Sequence, residues 1–211
     1  MAAKQIYLIR HALPDYPGGA KMCLGQKNDL PLSADGRAQA QRLGRFFAAL
    51  PLEAVYTSPL LRARQTAEAI AGGRPLHVLD DLIELYGGEW DGLPFEEIRA
   101  RYPQYFVRGA GFSCPPGGES DAQGLARARA ALAWADAHTE RCAAIVAHSG
   151  INRLLLCDLL GRPLSEKRQI SHDYAAVSLL EGTGELEIRN SLPERRMIDL
   201  CYSLLEQRRE S

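Results

Sequence analysis

Apolar residues along this chain fall into short continuous runs separated by longer stretches at helical spacing. Ile6 to Ile9 is a short apolar run ending at the polar pair Arg10-His11, with the Pro/Gly-rich stretch Pro14 to Gly19 behind it. This predicts a strand and then a loop. Ser33 reads as an N-cap opening a helix through about Leu50, with Ala40, Leu43, Phe46, Phe47 and Leu50 on one face. Ala54 to Thr57 is the next strand. Ser58 as N-cap and Pro59 at the first helical position predict a second helix that stops at Gly72-Gly73. A weaker strand covers His77 to Leu79, and Leu82 to Gly92 reads as a polar-aromatic loop.

Between Pro94 and Gly118 the periodicity is broken by Pro103, Pro115, Pro116 and several glycines, which predicts an excursion from the core that covers a site. Ser120 caps an alanine-rich helix through about His138, Ala143 to Ala147 is a buried strand, and Gly150 to Leu160 is a helix closed by Gly161 and Pro163. Ala175 to Leu180 and Glu185 to Arg189 read as a hairpin around Gly182 to Gly184. Strands alternating with helices predict an α/β fold of three layers, a mainly parallel sheet flanked by helices. The expected organisation is one domain over 1–205, with the excursion at about 94–118, and a polar tail at 206–211.

Composition narrows the function classes. A chain of 211 residues with 46% hydrophobic residues can bury one sizeable core. Its 25 basic and 26 acidic residues give a net charge of -1, so no electrostatic sheath for nucleic acid or an anionic membrane is expected. Met1 to Arg10 lacks the apolar region of a signal peptide, and no run reaches membrane-spanning length, so the expected location is cytoplasmic. The five cysteines (Cys23, Cys114, Cys142, Cys157, Cys201) are scattered, as in a reducing compartment, and none has an obvious context for thiolate chemistry. No H-x-x-x-H, carboxylate-rich loop or C-x-x-C pair is present, so neither a metal nor another cofactor is expected.

In an open α/β sheet, ligands collect where strands end and helices begin. Three polar segments qualify: Arg10-His11, Ser58 to Arg62, and His148-Ser149-Gly150. Together they offer two guanidiniums, two imidazoles, hydroxyls and helix-terminal N–H groups, a set suited to an anion. Phosphoryl transfer needs an in-line nucleophile, donors around the equatorial oxygens, and an acid for the leaving oxygen. A histidine with pKa near 6.5 is largely neutral at pH 7 and attacks without a metal-bound base.

These segments resemble the histidine phosphatase (phosphoglycerate mutase-like) superfamily in five blocks taken in order. They are Leu8-Ile9-Arg10-His11-Ala12 with Asp29 to Gly36 behind it, Ser58 to Ala67, Glu84 to Gly92, Gly117 to Ser120, and Ala147 to Gly150. The resemblance implies a phosphohistidine on His11 and a phosphate pocket from Arg10, Arg62 and His148. It also implies Glu84 as general acid and later base, with Glu89 and Asp91 as rivals on the same loop. Ser149 stands where the family commonly has glycine and adds a hydroxyl to the substrate-binding set.

Ala12 also replaces a usual glycine, putting a methyl beside the nucleophile where the backbone is expected to want a glycine conformation. Leu13-Pro14-Asp15-Tyr16-Pro17 lacks the acidic, hydroxyl and asparagine positions of the mutase branch, which favours a phosphatase acting on a small phosphorylated metabolite. Cys23-Leu24-Gly25-Gln26 most resembles the branch that includes α-ribazole phosphatases, although Lys27-Asn28 adds a residue there. A phosphoglycerate mutase-type phosphotransferase and a non-catalytic phosphate-ligand binder stay open, as do monomer and homodimer. Of the remaining candidates, His77 and His138 read as surface or packing residues and His172 as a structural or rim group. Arg153 reads as a salt-bridge partner or a substrate contact, and Trp90, Tyr86 and Phe95 as pocket mouth or packing. Arg127 and Arg129 read as a solvated helix face.

Overall fold

The structure, a computed structural model, describes residues 4–106, 114–182 and 187–192. The elements relevant to the site are strands β1 (Lys4–Arg10), β2 (Ala54–Thr57), β3 (Leu76–Val78), β4 (Cys142–Ala147), β5 (Val177–Gly182) and β6 (Glu187–Leu192). The helices are α1 (Ala34–Ala48), α2 (Leu61–Ala71), α3 (Phe95–Arg101), α4 (Asp121–Ala137) and α5 (Ser149–Leu159). The sheet order is β3-β2-β4-β1-β5-β6. Its first four strands are parallel, while β5 joins β1, and β6 joins β5, antiparallel. The sheet is mainly parallel, as the alternation predicts.

Side chains alternate across each strand, so one sheet feeds two cores. Ile6, Leu8, Tyr56 and Ile145 pack with Leu125, Ala128, Leu132, Ile151 and Leu154 of α4 and α5. Tyr7, Ile9, Val55, Ala144 and Val146 pack with Leu43, Phe46, Phe47, Ala63 and Ile70 of α1 and α2. Phe46 and Phe47 meet the Tyr7 ring edge-on at centroid distances of 6.5 and 5.2 Å, a favoured aromatic geometry. The chain leaves β1 toward β2 across one face and leaves β4 toward β5 across the other. The β1/β4 boundary is therefore the point where a crevice opens beyond the strand C-termini.

Several boundaries differ from the sequence reading. Ser58 does not cap α2. The helix starts at Leu61 and its first N–H is taken by Asp29 Oδ1 at 2.6 Å, a cap from 32 residues away. The Ser58 hydroxyl instead accepts the Leu60 N–H and meets His148. The strand expected from Ala175 starts at Val177, because Ala175 has φ +60°, outside extended backbone. The excursion contains α3 and a turn at Pro103–Phe106. Ser33 and Ser120 cap α1 and α4 as expected, the latter in a reciprocal box with Gln123. Residues 107–113 of the excursion, most of the hairpin turn and the tail at 206–211 lie outside the described residues. Among the described residues no helix is long and apolar enough to cross a membrane.

Gly44 sits at a close approach of α1 to α2: a Cβ there would sit 2.3 Å from the Ala69 carbonyl oxygen. Gly44→Ala should lower stability by about 1–3 kcal/mol, the usual cost of overpacking, as a reduced urea midpoint at unchanged slope.

Candidate active site

Beyond the strand C-termini lies a cavity of about 340 Å³ lined by Arg10, His11, Arg62, Glu84, Ser149 and Arg153, with Tyr16, Tyr86, Phe95 and Tyr174 also on its walls. Five of the six residues singled out from the sequence therefore share one surface. The sixth, His148, is fully buried beneath it, with its ring centroid 5.1 Å from that of His11.

The parallel pairing of β1 with β4 places Arg10 opposite Ala147, and the His11 N–H donates to the Ala147 carbonyl at 3.0 Å. The two histidines that follow these strands are thereby side by side. His11 Nδ1 lies 2.8 Å from the Ala12 carbonyl. Only an N–H can serve that acceptor, so the proton of the neutral ring sits on Nδ1 and Nε2 keeps its lone pair. Burial first, and then the Arg62 and Arg10 cations, hold the His11 imidazole well below the ordinary histidine value. Burial, Arg62, His11 and Arg10 do the same to His148. Its Nε2 is 2.6 Å from Ser58 Oγ, whose acceptor role toward Leu60 leaves its own O–H free to donate to the ring. The His148 proton then belongs on Nδ1, a buried nitrogen with no protein partner.

Arg62 is 1% exposed, among the largest fully buried side chains, and donates to the carbonyls of Gly25 (3.0 Å) and Asn28 (3.1 Å). Burial lowers its pKa, against which Glu84 and Asp29 pull upward. Arg10 donates to the His172 carbonyl at 2.8 Å and stacks its guanidinium 3.8 Å above the Tyr174 ring. The Nε atoms of both arginines are buried and unpartnered. Such groups are rare in native proteins, and two guanidinium donors beside His148 Nδ1 form a set complementary to an oxyanion.

Glu84 reaches the site by tertiary contacts alone. Its carboxylate accepts N–H bonds from Leu85 (2.9 Å), Gly150 (3.1 Å) and Ile151 (3.3 Å), the last two at the N-terminus of α5. Gly150 is required for this: a Cβ there would lie 2.5 Å from Glu84 Oε1. The rival carboxylates are elsewhere. Glu89 accepts from the Tyr102 hydroxyl, Asp91 is engaged with the Gln26 N–H and Cys23, and neither lines the cavity.

Ala12 departs from the concern raised by its sequence. Ala175, not Ala12, is the non-glycine with positive φ among the described residues. The Ala12 methyl packs in the apolar cluster with Ile9, Leu43 and Ala63, and its N–H donates to Thr66 Oγ1 at 3.0 Å. Arg153 lines the cavity and donates to the Ile170 carbonyl. Trp90 is a packing residue against Tyr102, Tyr105 and Phe106, whereas Tyr86 and Phe95 line the cavity. His172 is fully buried against Asn152. Arg129 pairs with Asp158 at the surface as a solvated residue does, but Arg127 does not: it is turned inward onto the Glu84 loop and the Glu119 carboxylate. Burial pushes the Cys23 thiol up to about 12, away from nucleophile chemistry. Sequence reasoning missed Tyr16, Tyr174, Thr66 and Gln26. No local pattern marks Tyr174, whereas Tyr16, Thr66 and Gln26 stand inside the named segments without a role. Among the described residues no cluster of three or more His, Cys, Asp or Glu side chains could hold a metal.

His11, His148 and His172 should make stability acid-sensitive. The folded pKa of each is depressed, that of His172 to about 3 by burial, Arg10 and Arg153. Below about 6.5 the unfolded chain thus binds more protons than the folded one, for His172 down to about 3, so stability is full above pH 6.5 and falls as pH drops. Each histidine contributes a slope of up to about 1.4 kcal/mol per pH unit in that window. Urea midpoints measured from pH 7 to 5 should decline, and less steeply in His172→Asn.

Residues 6–189 match the model of the histidine phosphatase superfamily (branch 1). Phosphoserine phosphatase 1 of Hydrogenobacter thermophilus is 32% identical over 183 residues, covering 83% of this chain and 85% of that one. The adenosylcobalamin/alpha-ribazole phosphatase of Salmonella typhimurium is 27% identical over 170 residues, covering 76% and 84%. The native structure of mycobacterial glucosyl-3-phosphoglycerate phosphatase superposes with a TM-score of 0.76 at 27% identity, covering 90% of this chain and 99% of that one. With the two strand-end histidines side by side and Arg10, His11 and Arg62 lining one cavity, the match over nearly the whole chain means that this protein belongs to branch 1 of the histidine phosphatase superfamily.

Proposed function

We propose that this histidine phosphatase hydrolyses a small phosphomonoester, without a metal, through a phosphohistidine on His11. The observation that carries the reading is the His11 ring, with its proton committed to the Ala12 carbonyl and its Nε2 lone pair left free in a cavity that Arg10 and the buried Arg62 also line. Arg10, Arg62 and the Nδ1–H of His148 bind the non-bridging oxygens, with the Ser149 hydroxyl as a further donor. Nε2 attacks phosphorus in line, the phosphorus–oxygen bond to the leaving group breaks, and Glu84 gives its proton to the departing oxygen. Glu84 then takes a proton from water, whose oxygen attacks the phosphohistidine; inorganic phosphate leaves and His11 is restored.

The non-catalytic alternative rested on Ala12, and the packing of its methyl away from positive φ removes that ground. The α-ribazole reading rested on Cys23 to Gln26. In this structure that segment serves the site from inside: the Gly25 carbonyl holds Arg62 and Gln26 Nε2 donates to the Glu84 carbonyl. Any phosphomonoester would require those contacts, so α-ribazole 5'-phosphate is one candidate substrate among small phosphorylated metabolites. Scattered cysteines with Cys23, Cys142 and Cys157 raised by burial are compatible with a cytoplasmic setting.

Phosphate release from an aryl phosphate under excess chelator should persist in the wild type and fall at least about 10³-fold in His11→Ala. Radiolabel from the substrate should be trapped as an acid-labile, base-stable adduct in the wild type only; activity or label surviving in His11→Ala would exclude the mechanism. Gly150→Ala should push Glu84 off the α5 terminus and reduce kcat about 10²-fold, with circular dichroism unchanged.

A further inference from the structure

Arg127 lies in the middle of α4, does not line the cavity, and yet spends its whole guanidinium on the segment that carries Glu84. Nη1 donates to the carbonyls of Asp81 (2.8 Å) and Ile83 (2.5 Å), and Nη2 to that of Glu84 (3.1 Å). Nε and Nη2 close a bidentate pair with the two Glu119 oxygens, each at 2.7 Å. All five N–H groups of the fork are used. Glu119 in turn ties down the next residue of the loop: Oε2 accepts the Tyr86 N–H, and its own N–H donates to the Tyr86 carbonyl.

The Arg127 and Glu119 side chains are 17% and 14% exposed, so this pair is well withdrawn from the solvent screening that makes surface pairs weak. Beyond the short turn at Asp80–Leu82, the loop from Ile83 to Gly87 has no regular secondary structure of its own. The carbonyls of Asp81 in that turn and of Ile83 and Glu84 in the loop converge on one cation instead. The Glu84 backbone is held from α4 and Gln26, while its carboxylate rests on α5. We propose that Arg127, anchored by Glu119, is the positioning residue that holds Glu84 at the distance and angle needed for proton transfer to the leaving oxygen. The proposal rests on the reading of Glu84 as the acid. Lysine cannot replace Arg127, because an ammonium is a point donor without the planar fork that spans three carbonyls and a carboxylate.

A leaving group that departs as a stable anion needs no acid, which separates positioning of Glu84 from general damage. The quantity to compare is kcat/KM, which reports only steps through phosphorylation of His11, on 2,4-dinitrophenyl phosphate and on a simple alkyl phosphate. Arg127→Lys and Glu119→Gln should each lose about 10²-fold on the alkyl ester while staying within about 3-fold of wild type on the dinitrophenyl ester. The double variant should be little worse than either single one. Glu84→Gln is the reference. If it spares the alkyl ester, the acid reading itself fails. If Glu84→Gln splits the two substrates but Arg127→Lys depresses both alike, or neither, the positioning role is overturned. Failure of both clamp variants to fold would overturn it as well, by making the pair a support of the structure rather than of the acid.

Discussion

The site depends first on the parallel pairing of β1 with β4. A one-residue slip of that register would turn Ile6, Leu8 and Ile145 out of one core and Tyr7, Ile9 and Val146 out of the other, so hydrophobic burial on both faces locks it. With the register locked, Arg10 stands opposite Ala147, and the residues that follow the two strands, His11 and His148, are forced together at the crevice. Chain directions then diverge, α1 covering one face and α5 the other, which opens space above the histidines without breaking a strand. Apolar packing far from the cavity is thus what brings the two imidazoles to a fixed separation.

That placement has an electrostatic consequence. Two imidazoles and two guanidiniums share a region from which most water is excluded, and like charges there repel strongly. The arginines cannot give up their protons, so the histidines remain neutral. Neutrality leaves Nε2 of His11 as a lone pair and the His148 ring as a hydrogen-bond donor. Both guanidiniums retain buried, unpartnered Nε donors, which suits the proposed binding of an oxyanion. One arrangement supports both the proposed nucleophile and the proposed phosphate pocket, and it is the reason acid should destabilise the fold from within the site.

Legibility varied along the chain for identifiable reasons. The strand runs, the Ser33 and Ser120 caps and the Arg10-His11, Arg62 and His148-Ser149 clusters were readable because each is a local pattern set by periodicity, a capping side chain or a strand terminus. Ser58 was misread because its hydroxyl has two uses and the nonlocal one, at His148, prevails while Asp29 caps α2 from across the loop. Arg127 looked like one more polar residue on an alanine-rich helix. The weak amphipathicity of α4 gives no sign of which arginine is turned inward. Tyr174, whose ring lies under Arg10, follows no recognisable signal, since it sits in an irregular segment beside Ala175 at φ +60°.

The sequence by itself determined the α/β layering, the mainly parallel sheet and the strand-end cluster of cations and imidazoles, because burial periodicity and chain direction are properties of contiguous residues. Only the tertiary structure decided which of Glu84, Glu89 and Asp91 faces the cavity, which ring nitrogen of His11 is free, and that the Ala12 methyl is harmless. The first is settled by contacts between residues distant in the chain, the second by the direction in which the folded backbone turns the neighbouring Ala12 carbonyl, and the third by a backbone angle and packing. Hydrogen-bond geometry at that range, 2.5 to 3.3 Å between Arg127, Glu84 and their partners, leaves no trace in local residue order.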